Sequence, residues 1–123
     1  MPHIIIEYTD NIPDQVDFRG LFGELHSALV TMGDIRQVDV KSRAYKLQQW
    51  YIADGNPNHA LVHVKLHILS GRDADYKRRA LAAMRPIIVA HFPRALAERE
   101  CQICFETIDI DRDTYAKVVS NQA

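Results

Sequence analysis

The sequence predicts an α+β fold: two consecutive β-α-β units forming one four-stranded mixed sheet, with two helices on one face. Three observations lead there. Two segments carry apolar residues every three or four positions, the mark of a helix with one buried stripe. Each is preceded and followed by a β-branched or alternating segment. The order β-α-β then repeats over two halves of about 60 residues each, as a pattern and not as a literal repeat. A chain of 123 residues suits a single domain, 1–123. It can bury roughly two-thirds of its unfolded surface, enough to fold without a disulfide or metal.

The first strand is the β-branched run Ile4–Ile6, which does not alternate cleanly and so reads as buried on both faces. The turn-forming segment Thr9–Asp14 ends it. The first helix follows, with Phe18, Leu21, Phe22, Leu25, Ala28, Leu29 and Met32 on one stripe. Asp14 is its expected N-cap and Gly33 its stop. Residues 36 to 46 alternate, with Val38, Val40 and Ala44 on one side and Lys41, Arg43 and Tyr45 on the other. Trp50 and Ile52 extend that pattern, and 54–58 (Asp-Gly-Asn-Pro-Asn) is a turn.

The next strand places Ala60, Val62, Val64, Leu66 and Ile68 on one face, with His63, Lys65 and His67 on the other. Asp73 or Ser70 caps the second helix, whose stripe is Tyr76, Ala80, Leu81, Met84, Ile87, Ile88 and His91 or Phe92. Pro86 falls inside and is expected to kink or divide it, and Pro93 to close it. A last strand runs from about Gln102 to Ile110, before a polar tail expected to fray or dock on a neighbour. Right-handed crossovers make each half's two strands parallel. Two helices cover one sheet face. The other keeps apolar residues that nothing in the chain covers, and self-association is the simplest remedy.

Lys plus Arg number 15 and Asp plus Glu 16, a formal charge of −1. No basic excess favours nucleic acid or an anionic membrane surface, and paired strand aromatics of the RNA-binding kind are missing. No apolar run reaches the ~20 residues of a membrane span. Met1 leads directly into a strand-like segment instead of a secretory leader, so the expected location is the cytoplasm.

Pro2 is the residue with unusual chemistry. Removal of an initiator Met is favoured by a small second residue. It would leave proline's secondary amine free, and burial and nearby cations would lower its pKa. Such a base suits proton abstraction next to a carbonyl. Lys41 and Arg43 share a strand face and could bind a carboxylate, Lys as a point charge and Arg by a bidentate fork. Arg72 follows Gly71 at a strand-to-helix junction, where backbone N–H groups also favour an anion. The plain alternative for all three cations is a solvated surface. The pair Cys101 and Cys104 lies in a strand pattern and faces opposite ways, unlike a redox motif opening a helix. His63 and His67 share a face but flank Lys65 and lack a third ligand, so no metal is expected. His26 and His91 read as structural.

Six short motifs occur in order: Met-Pro-His-Ile-Ile-Ile-Glu from residue 1, Lys-Ser-Arg (41–43), Ala-Asp-Gly (53–55), Val-His-Val (62–64), Ser-Gly-Arg (70–72) and Phe-Glu-Thr-Ile (105–108). Together they resemble the 5-carboxymethyl-2-hydroxymuconate isomerases of the tautomerase superfamily, over essentially the whole chain. The resemblance implies a homotrimer packed through open sheet faces, with neither cofactor nor metal. It implies Pro2 as the general base, and Arg72 and Arg43 as matches to family arginines. Lys41 stands where the family has another arginine, keeping the charge but losing the fork.

The implied reaction moves a proton between carbons of an unsaturated 2-hydroxy or 2-oxo di- or tricarboxylate. Pro2 transfers the proton while Lys41, Arg43 and Arg72 bind carboxylates. Such a substrate belongs to aromatic-compound breakdown by the homoprotocatechuate route. Two other readings fit the same residues: a tautomerase acting on a different keto acid, and a non-catalytic trimeric carboxylate-binding protein.

Overall fold

The structure, a computed structural model, describes residues 1–120. Four strands, β1 (His3–Thr9), β2 (Lys41–Leu47), β3 (His59–Leu69) and β4 (Glu100–Ile110), form one sheet in the order β2-β1-β3-β4. β1 runs parallel to β2 and β3 parallel to β4, while the central β1–β3 pair is antiparallel. Helices α1 (Phe18–Met32) and α2 (Ala74–Ala90) connect the parallel pairs, as the repeated β-α-β pattern requires. A short third helix, α3 (Pro93–Glu98), adds to the two expected.

The core lies between the helices and one sheet face. Leu21, Leu25 and Leu29 of α1 and Ala80, Met84 and Ile88 of α2 are buried against Ile4, Ile6, Val62, Val64 and Leu66. β3 alternates along its length as read from the sequence. β1 alternates too, although its Ile run suggested burial on both faces. Ile4 and Ile6 enter the core, whereas His3, Ile5 and Glu7 stand half-buried on the opposite, open face. That face is more polar than expected: Ile5, Leu61 and Ile108 alternate with the Glu7–Lys65 ion pair (2.8 Å) and the His63–Glu106 pair (2.8 Å).

Several local expectations change. The N-cap of α1 is Asp17, whose carboxylate accepts from the Gly20 N–H. Asp14 instead accepts from the backbone N–H groups of Arg94 and Ala95 at 2.8 Å each, capping α3 from the other half of the chain. Residues 37–39 form a 3-10 turn, so β2 starts at Lys41 and Val38 is exposed. Trp50 and Ile52 lie in the irregular connection, where the Trp50 indole donates to Asp10 at 2.8 Å. Pro86 does not divide α2. It sits on the solvent side, and the carbonyl of Ala82 that loses its partner is also at an exposed position, where water can reach it. Phe92, not His91, completes the stripe; His91 bonds to Glu24 of α1.

Candidate active site

The strand directions decide where the site lies. β1 and β2 begin, and β3 and β4 end, at the same end of the sheet, since His3 pairs with both Lys41 and His67, and His67 with Ile108. The chain's first residues, the 3-10 turn before β2, the β3–α2 turn and the segment after β4 therefore converge.

Pro2 is buried at the start of β1, where its carbonyl accepts from the Lys41 N–H at 3.1 Å. The Met1 amine donates to the Asp39 carbonyl at 2.8 Å, and the Lys41 ammonium donates to the same oxygen at 2.6 Å. Burial, then the cations of Lys41 and Lys117, lower the amine's pKa from 8.0 to about 6, partly offset by Asp39. An amine at this corner is thus largely neutral at pH 7, with its lone pair available to accept a proton.

Beside it opens a cleft of about 220 Å³, floored by Ile35, Ile68 and Leu69 and lined by Met1, Pro2, Asp34, Arg72, Tyr76 and Arg112. Arg72 enters from the turn before α2. Its guanidinium donates to the Asp34 carbonyl at 3.1 Å and lies 4.4 Å from the Tyr76 ring centroid, a cation–π contact. Asp34 adopts φ 65° after Gly33 at φ 97°. This left-handed step accompanies the Asp34 carbonyl's contact with Arg72. Burial raises the Tyr76 pKa, and its hydroxyl has no partner among the described residues.

Lys41 lines a neighbouring cleft of about 540 Å³ with Arg36, Val38 and Lys117. Asp39 borders both clefts; its carboxylate pairs with Lys117 (3.0 Å) and Arg36 (3.2 Å), which hold its pKa down. Arg43 lines neither of these two clefts. Its guanidinium donates to His3 Nδ1 at 2.8 Å, so His3 Nε2 carries the proton and donates to the Tyr115 hydroxyl at 3.1 Å. Burial, followed by Arg43 and Lys41, lowers the His3 pKa to about 4. Pro2 and Arg72 are therefore brought into one cleft, Lys41 stands next door, and Arg43 reaches this end through His3.

Sequence reasoning missed Tyr76, Asp34, Asp39 and Arg112. Tyr76 read as a stripe residue, and Asp34, the partner of Arg72, was signalled only by the Gly-Asp step at 33–34. The tail carrying Arg112 and Tyr115 read as frayed or docked elsewhere, yet it lies against its own chain through Tyr115 and Lys117. Cys101 and Cys104 are free thiols, Cys101 near the opposite end of the sheet and Cys104 at mid-strand, and burial raises the Cys101 pKa. Among the described residues no cluster of three or more His, Cys, Asp or Glu could hold a metal.

The family model for 5-carboxymethyl-2-hydroxymuconate isomerase matches residues 2–122. The chain belongs to that family. It is 32% identical over 106 residues to the 5-carboxymethyl-2-hydroxymuconate Delta-isomerase of Escherichia coli, covering 86% of this chain and 84% of that one. The isomerase family also includes a solved structure from Deinococcus radiodurans R1, 29% identical with a TM-score of 0.85, covering 95% of this chain and 88% of the other. A fused 4-OT wild type symmetric trimer shares the fold at 15% identity and a TM-score of 0.68, covering 98% and 94%. The chain is thus an isomerase-family enzyme with the tautomerase-superfamily fold.

Proposed function

We propose that this chain isomerises 5-carboxymethyl-2-hydroxymuconate, or an unsaturated 2-hydroxy or 2-oxo di- or tricarboxylate close to it, in aromatic-compound breakdown. The carrying observation is the convergence of the chain's amino end with Arg72 in one cleft and Lys41 beside it. With Met1 in place the Pro2 nitrogen is an amide and accepts no proton, so the mechanism requires Met1 removal. The freed Pro2 amine takes a proton from one carbon, leaving a dienolate, and returns it to another carbon of the conjugated system. Arg72 and Lys41 bind carboxylates, and Arg43 supplies a further cation on the same sheet face. A cation near the 2-oxygen stabilises the dienolate charge as it develops.

Assembly as a homotrimer belongs to the same reading. Its supports are the open sheet face with half-buried Ile5, Leu61 and Ile108, and the trimeric description of a structure sharing the fold. One feature favours a different keto acid as substrate: the Lys41 ammonium is committed to the Asp39 carbonyl and offers a point charge, not a fork.

The test is a UV assay of 5-carboxymethyl-2-hydroxymuconate on protein shown by intact mass to begin at Pro2. The expected result is rapid turnover that falls at least ~100-fold in Pro2→Ala, the scale of losing a general base. Full activity in that variant would remove Pro2 from the mechanism. Absence of turnover in processed wild type would reject this substrate.

A further inference from the structure

We propose that Arg112 is a substrate-binding residue that takes a third carboxylate beside Arg72. The isomerase reading enters this proposal only through the substrate's identity. Arg112 sits in the 3-10 turn Arg112–Thr114, directly after β4. The last rung of the β3–β4 pairing, Ser70 N–H to the Ile110 carbonyl at 2.8 Å, sets this turn against the one that carries Arg72. The two guanidiniums consequently line one cleft from adjacent turns.

The Arg112 side chain is anchored on one edge only. Its Nε and one terminal nitrogen donate to the Ser70 carbonyl at 3.2 and 3.1 Å. Of five guanidinium N–H groups, these two bonds leave three unassigned, and among the described residues the side chain pairs with no carboxylate. The anchor fixes the fork's position without using it up, which lowers the ordering cost of binding an anion. Gly71, at φ 109°, supplies the left-handed backbone that this turn needs beside Arg112.

Charge in the cleft also favours an anion. Arg72 and Arg112 face two carboxylates: Asp39 is paired with Lys117 and Arg36, and Asp34, 77% exposed, stands 3.8 Å from Arg72, which leaves Arg112 as the arginine of this cleft without a carboxylate among the described residues. Arg43 lines neither cleft and is bonded to His3, so Lys41 and Arg72 account for two substrate carboxylates. The third carboxylate of a tricarboxylate needs a cation in the cleft itself, and Arg112 has the free fork there.

Kinetics of processed wild type, Arg112→Ala and Arg112→Lys test this on 5-carboxymethyl-2-hydroxymuconate and on 2-hydroxymuconate, which lacks the carboxymethyl group. Arg112→Ala is expected to raise KM for the tricarboxylate ~10-fold or more, with kcat little changed, and to leave KM for the dicarboxylate nearly untouched. Arg112→Lys is expected to fall between. Equal KM increases for both substrates would mean that Arg112 only supports the Ser70 turn, and an unchanged KM would also overturn the proposal. Calorimetric binding of propane-1,2,3-tricarboxylate separates the two readings. Processed wild type that binds it without turning over either substrate, with binding weakened in Arg112→Ala, would reject the isomerase reading and keep Arg112 as a carboxylate ligand. Equal binding by both proteins, or none by wild type, would overturn the Arg112 assignment.

Discussion

The Lys41 ammonium and the Met1 amine share one acceptor, the Asp39 carbonyl, at 2.6 and 2.8 Å. The lysine's ammonium disfavours a second positive charge on the amine, and after burial Lys41 is the main influence lowering the amine's pKa. Replacing Lys41 by Met removes that repulsion and raises the amine's pKa from about 6 toward 8.0. NMR titration of the terminal amine in the Met1-retaining chain measures this directly. In the processed chain the acid limb of kcat/KM is expected to move to higher pH, because the base must be neutral to act. An unmoved titration would show that the lysine does not tune the amine.

Arg72→Ala removes the cleft's stacked guanidinium. If it holds a carboxylate equally in ground and transition states, KM rises ~10- to 100-fold at constant kcat, the scale of a charge-assisted hydrogen bond. A fall in kcat alone would assign Arg72 to the developing dienolate charge instead.

His3 is held neutral in the folded chain, its pKa lowered to about 4 against an ordinary 6.5. Between those values the unfolded chain binds the extra proton and the folded chain does not, so stability rises with pH across this window. The His3 contribution is therefore complete above pH 6.5 and lost as pH falls toward 4. His26 and His67, also lowered by burial, act in the same direction. Thermal melts of wild type and His3→Gln over pH 4–7 check the sign: the variant's Tm is expected to depend less steeply on pH.

Asp14→Ala removes the acceptor for the first N–H groups of α3. The expected loss is about 1 kcal/mol, the usual scale for a helix cap, read as a lower denaturation midpoint. Because Asp14 reaches α3 from the first half of the chain, the loss weakens a tie between the halves. An unchanged midpoint would mean that water replaces the carboxylate fully.

The sheet and its two long helices were legible because periodicity reports one-sided burial directly, as in β3, where every second residue from Ala60 to Ile68 is buried. Pro2, Lys41, Arg43 and Arg72 stood out in the sequence as residue types with unusual or paired chemistry, and the structure brings two of them, Pro2 and Arg72, into one cleft. What the sequence concealed depends on contacts distant along the chain. Asp14 looks like a local cap and serves a helix some 80 residues away. Tyr76 has the spacing of a core residue, yet its ring also lies under Arg72. Arg112 sits in a polar tail without periodicity, and only the β3–β4 register brings it beside Arg72.

The strand order β2-β1-β3-β4, with its antiparallel centre, gives the sheet an approximate two-fold axis between β1 and β3 that exchanges the halves. The start of β1 at His3 then corresponds to the start of β3 at His59, and Pro2 has a near-counterpart in Pro57. The symmetry ends at the covalent chain: Pro57 is joined on both sides and can never offer an amine. A fold with two matching corners can therefore build proline-amine chemistry at one of them only, giving one centre per chain. Had the halves been separate polypeptides, both corners would carry a terminus. The second corner instead places His59 between the carboxylates of Asp54 and Glu100.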